Sequence, residues 1–92
     1  MNNIVTSEKL KKYFSITKEA LDKARGAIDG SAQAADFLDM AQRYYDDAHY
    51  FLDKNNDLVL AFAALNYAHG WLDAGARSGL FKVKDSRLFT VD

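Results

Sequence analysis

Apolar positions recur at three- and four-residue steps in three long runs, and each run predicts an amphipathic helix. In the first, Leu10, Tyr13, Phe14, Thr17, Leu21, Ala24 and Ile28 form one stripe. Thr6 or Ser7 can cap its first backbone N–H groups, and Asp29-Gly30-Ser31 closes it. Glycine tolerates the left-handed stop, and serine can cap the next helix. In the second run, Ala34, Phe37, Leu38, Ala41, Tyr44, Tyr45, Ala48, Phe51 and Leu52 make the inner face, and Lys54-Asn55-Asn56-Asp57 ends it. The third run begins at Leu58 and stops at Gly79. The predicted helices therefore cover about 7–29, 31–54 and 58–78, with a tail over 79–92. Short connections turn neighbouring helices antiparallel. The expected fold is all-α, an antiparallel up-down-up three-helix bundle with an extended C-terminal tail, in a single domain spanning 1–92.

The third helix carries more apolar surface than a bundle needs. Ala61, Leu65, Ala68, Leu72, Gly75 and Ala76 share one face. Leu60, Ala64, Tyr67, Trp71 and Ala74 widen it on one side, and Phe62 on the other. A core-facing helix buries a stripe somewhat wider than about 100°, and this arc is about twice that. The surplus side, Leu60, Tyr67, Trp71 and Ala74, is a candidate interface, because exposed apolar patches of that size mark interaction sites. Either the tail covers it, through Leu80, Phe81, Val83, Leu88, Phe89 and Val91 around a turn at 84–87, or a second copy or another protein does. Tyrosine and tryptophan are enriched at interface hot spots. Ala61, Ala64, Ala68 and Gly75 permit close backbone approach, since a glycine inside a helix implies a compensating contact.

Composition narrows the classes. Nearly half of the chain, 49%, is apolar, enough to fold rather than stay disordered. The absence of cysteine excludes disulfides, thiolate zinc sites and cysteine nucleophiles. LVLAFAAL is broken by Asn66 and is too short to span a bilayer, and MNNIVTSEKLKK turns polar too early for a signal peptide. No membrane association is expected. Residues 1–30 carry two excess positive charges, 31–57 four excess negative, and the remainder one positive. A basic first helix beside an acidic second favours pairing between them. Lys9, Lys11, Lys12, Lys18, Lys23 and Arg25 are interrupted by Glu8, Glu19, Asp22 and Asp29, so nucleic acid is not an expected partner.

Candidate chemistry lies in a narrow polar strip on the third helix, Asn66, His69, Asp73 and Arg77, with His49 on the second. His69 and Asp73 are four apart, and Asp46, His49 and Asp53 make a similar group. These are nitrogen and oxygen donors suited to a divalent metal, but histidines hydrogen-bonded at the edge of an apolar arc explain them as well. No metal and no cofactor is assigned. Arg43 and His49, spaced Arg-x5-His, are similar to the ribonuclease motif of the HEPN family of small helical proteins, although Arg43 falls on the solvent side of its helix. Asp39, Asp46 and Asp53, seven apart, are expected in solvent. The glycines follow no strand, so no phosphate loop is expected.

The run ALNYAHGWLDAGARSGLFKV, with LFTVD after it, resembles a small archaeal family catalogued as domain of unknown function 357. Similarity is strongest from Ala63 to Val83 and extends through the tyrosine-rich RYYDDAHYFL. Asn66, Tyr67, His69, Gly70, Trp71, Asp73 and Gly75 match the family's distinctive run, and Ser78 departs from it. The resemblance implies a compact three-helix bundle and an archaeal, cytoplasmic source, and it brings no catalytic assignment. The sequence reads as a non-enzymatic protein-interaction module, self-associating or binding another protein. The competing reading is an RNA-processing or metal- or ligand-binding domain built on the His49 and His69 region.

Overall fold

The computed structural model describes residues 2–90. It contains α1 (Ser7–Arg25), α2 (Ala32–Asn55) and α3 (Leu58–Arg77). Each begins at the kind of residue that can satisfy free N–H groups. Thr6 Oγ1 accepts from Lys9 N at 3.1 Å, Ser31 Oγ from Ala34 N at 3.0 Å and Asp57 Oδ1 from Leu60 N at 2.9 Å. Helix α2 ends at Asn56, whose left-handed φ of 49° turns the chain directly into α3. The fold is the all-α three-helix bundle, with α3 packed extensively along α2, less along α1, and α1 and α2 touching little. Helix α3 is thus the element on which the other two are assembled.

Helix α1 stops four residues earlier than its periodicity predicts. Ile28 continues the stripe in sequence, but residues 27–29 leave the helix to pair with the tail. Lys82 N donates to Ala27 O at 2.8 Å and Asp29 N to Leu80 O at 3.0 Å, making an antiparallel bridge between Ile28 and Phe81. Backbone groups of a distant segment replace the intrahelical bonds, and Ile28 stays 40% exposed instead of joining the core. Charge pairing also differs from expectation. The ion pairs of α1 run within the helix, Lys18–Asp22 at 2.8 Å, or to the tail, Lys23–Asp85 at 2.9 Å, and not across to acidic α2.

The tail completes the core. Gly79, at φ 79°, turns the chain sharply back after α3, and Leu80 N donates to Gly75 O at 2.9 Å. This reversal swings Phe81 inward, where it is the largest fully buried side chain. A Cβ on Gly75 would come closer than 3.0 Å to three carbons of the Phe81 ring. The bare backbone there is therefore a packing requirement. After an extended stretch, Leu88 N and Phe89 N both donate to Asp85 O at 3.0 Å, and this turn buries Leu88 and Phe89. The tail is one bridge and one turn, not a hairpin. Val91, named above among its apolar residues, lies outside the described residues.

Gly75→Ala should therefore destabilise the fold by about 1–3 kcal/mol in urea unfolding, the usual cost of overpacking. In a Phe81→Ala background the same change should cost nothing further, because the ring it strikes is gone. Equal costs in both backgrounds would contradict the contact.

Candidate functional site

The polar strip of α3 is where the tail docks. His69, Asp73 and Arg77 follow one another a turn apart, and the half-buried His69 bridges two other segments. Its Nε2 lies 2.5 Å from Leu88 O, and its Nδ1 3.2 Å from Thr17 Oγ1 on α1. A carbonyl only accepts, so Nε2 carries the proton, and in the neutral ring Nδ1 accepts from the threonine hydroxyl. Thr17 is the one buried polar residue among those described, and this bond satisfies it. Asp73 Oδ1 accepts from Thr90 N at 2.8 Å and stands 3.9 Å from His69 Nε2. The aspartate one turn away thus holds the tail rather than bonding the histidine. Asn66 Nδ2 donates to Phe62 O at 3.0 Å within its own helix, and Arg77 is exposed in the last turn.

An ion cluster fastens the other edge of the tail to α1. Asp85 Oδ2 is 2.9 Å from both Lys23 Nζ and Arg87 Nη2, and Arg87 Nη2 is 2.6 Å from Glu19 Oε2. Hydrogen bonds from Arg87 first, then Lys23, hold the Asp85 carboxyl well below the usual carboxylate range, and the bonds to Asp85 first, then Glu19, raise the Arg87 guanidinium. A cleft of about 330 Å³ remains between α1, α3 and the tail, lined by Tyr13, Thr17, Asn66, His69, Asp73 and Arg87. Its histidine already has a partner at each ring nitrogen, and its arginine pairs with two carboxylates.

The second histidine belongs to a different neighbourhood. His49 is exposed, with its ring 4.3 Å from that of Phe14 and 4.9 Å from that of Tyr45. It therefore sits against α1 one turn from where His69 reaches Thr17, and no bond links it to Asp46 or Asp53. Among the described residues no group of three or more histidine and carboxylate side chains could hold a metal ion. Arg43 pairs with Asp39 at 2.9 Å on the solvent side. Six residues turn an α-helix by about 240°, so Arg43 and His49 face different ways. Asp39, Asp46 and Asp53 are exposed, as expected.

The candidate interface is where the structure departs most from the sequence reading. The tail was one expected cover for Leu60, Tyr67, Trp71 and Ala74, but it lies along the opposite edge, on His69, Asp73 and Gly75. Leu60 stays 43% exposed and Tyr67 57%, and Ala74 is exposed. Rings of α2 give partial cover only, Tyr44 meeting Tyr67 at 4.4 Å and Phe37 meeting Trp71 at 5.0 Å, both edge-on. Sequence reasoning named Leu88 among the tail's docking residues but missed Thr17, Thr90, Lys23 and Asp85. A hydroxyl in an otherwise apolar stripe was the one available signal, and it pointed to Thr17.

A family model described as "Protein of unknown function (DUF357)" matches residues 12–81. The chain belongs to this family. The match takes in all of α2 and α3, most of α1 and the tail as far as Phe81, whereas the turn that carries Asp85, Leu88 and Thr90 lies beyond it. No curated protein and no solved structure matched the chain. Family membership, like the geometry, assigns no reaction.

Two outcomes follow for this member of the family. His69→Ala leaves a buried hydroxyl and a carbonyl without their partner, which should cost about 1–3 kcal/mol and speed amide exchange at 88–90. Unchanged exchange there would contradict the clasp. Folding lowers the Asp85 pKa, so its contribution is complete above about 4, the unfolded aspartate value, and is lost as pH falls below it. Amide protection factors in the tail should fall selectively in acid, and Asp85→Asn should show the lowered protection already at neutral pH.

Proposed function

We propose that this protein is an interaction module that binds protein through the outward side of α3. One observation carries the reading: from Leu58 through Leu72 the helix has no aspartate, glutamate, lysine or arginine. Solvated helix surfaces are normally charged, as α1 and α2 are, whereas interface centres are depleted of charge and enriched in aromatic residues. Val59 at 70% exposure, Leu60 and Tyr67 line this side. The tail leaves it open, and the rings of α2 brace it from beneath. With Tyr44, Phe51 and Ala63, Leu60 and Tyr67 also border a groove of about 390 Å³ between α2 and α3, where Asp47 of α2 supplies the one charge.

The geometry lends less to the other readings. The two histidines serve separate contacts, and the Arg43 and His49 side chains diverge. Lys18 and Lys23 on α1 are neutralised by Asp22 and Asp85, which weakens a phosphate-binding face. No helix among the described residues is long and apolar enough to cross a membrane.

Photo-crosslinking in the native cell tests the reading. A benzophenone side chain at position 67 should yield discrete protein adducts, and one at position 46, on the acidic side of α2, should not. Equal labelling from both positions, or nucleic acid as the product at 67, would overturn it.

A further inference from the structure

Helix α3 contains two interior glycines, and the chain's own packing explains only one. Gly75 is required by Phe81. A Cβ on Gly70 would meet nothing within 4 Å, although glycine inside a helix is unfavourable relative to alanine. Gly70 lies in an open hollow of about 330 Å³ lined by Asn66, Tyr67, Trp71 and Ala74. One turn before it stands Tyr67, with 57% of its surface exposed. A projecting ring and a hollow with a bare backbone floor are thus neighbours on the same uncharged face.

We propose that a second copy of this chain docks here, α3 against α3 and antiparallel about a twofold axis, with Tyr67 of each copy over Gly70 of the other. The proposal rests on the reading of α3 as a protein-binding surface and names its occupant. A twofold interface must be self-complementary, so that what one residue meets is met in return. A knob and a hollow three residues apart satisfy this when two helices cross antiparallel between them. Between Leu58 and Leu72 helix α3 contributes no charge, so there it can meet its own copy without repulsion, which the basic face of α1 and the acidic face of α2 cannot. The molecule measures 38 × 26 × 16 Å. A copy laid along the length of α3 therefore has room for the roughly 800 Å² per partner of a stable interface.

Sedimentation equilibrium of the full chain, with circular dichroism of each variant, tests the pairing. The wild type should be a dimer. Gly70→Leu fills space that is open within one copy, so it should keep full helicity and cooperative melting while weakening association roughly tenfold or more. Tyr67→Ser removes the knob instead and should weaken the dimer similarly, which keeps the test decisive if Gly70→Leu fails to fold. A wild type that is monomeric up to its solubility limit, or a dimer indifferent to the substitutions, would overturn the proposal. A monomeric wild type that still crosslinks another protein from position 67 would overturn the second copy alone. No adduct at all would remove the interaction module as well.

Discussion

The arrangement depends on the Phe81 ring seated against the bare backbone of Gly75. A side chain at 75 would strike the ring, so the tail can return along α3 only where α3 has no Cβ. With Phe81 seated there, its backbone bridges to Ile28, where the end of α1 has left the helix. The turn beyond it then brings Leu88 O to His69 and Thr90 N to Asp73. Polar groups that look poised for chemistry are thereby engaged in holding a segment in place. A bundle this small gains from the added burial, since short chains bury a low fraction of their surface.

This places opposite demands on the two sides of α3. The inner side and the His69 edge are closed by α1, α2 and the tail, and among the described residues no buried side-chain polar atom lacks a hydrogen-bond partner. The outer side combines exposed Val59, Leu60 and Tyr67 with an interior glycine that no contact within the chain requires. A tail laid over that side would have buried it. Its attachment to the opposite edge leaves the uncharged surface available, and this ties the folding role of Gly75 to the binding role proposed for Gly70.

Local patterns disclosed the three helices, their N-caps and the left-handed stop at Gly79, because each depends on residues a few positions apart. The inner face of α2 was legible for the same reason, from Ala34 through Leu52. The end of α1 was not, since Ile28 keeps the helical spacing and only a segment some fifty residues away reassigns it. The tail's position was misread because His69 and Asp73 look like solvent residues by type. Their partners are backbone groups, and backbone groups carry no signature in the sequence. Polarity marked the strip correctly as distinct from the core, but could not show that a backbone would satisfy it. Gly70 and Gly75 likewise look alike in sequence and differ only in what stands over them.

Nuclear magnetic resonance of Gly75 tests the central contact most directly. The ring current of Phe81 should shift the Gly75 Hα resonances strongly from their usual helical positions, with nuclear Overhauser effects from those protons to the Phe81 ring. The shift should vanish in Phe81→Leu while the helix persists. Ordinary Gly75 Hα shifts in the folded wild type, with no such cross-peaks, would contradict the account.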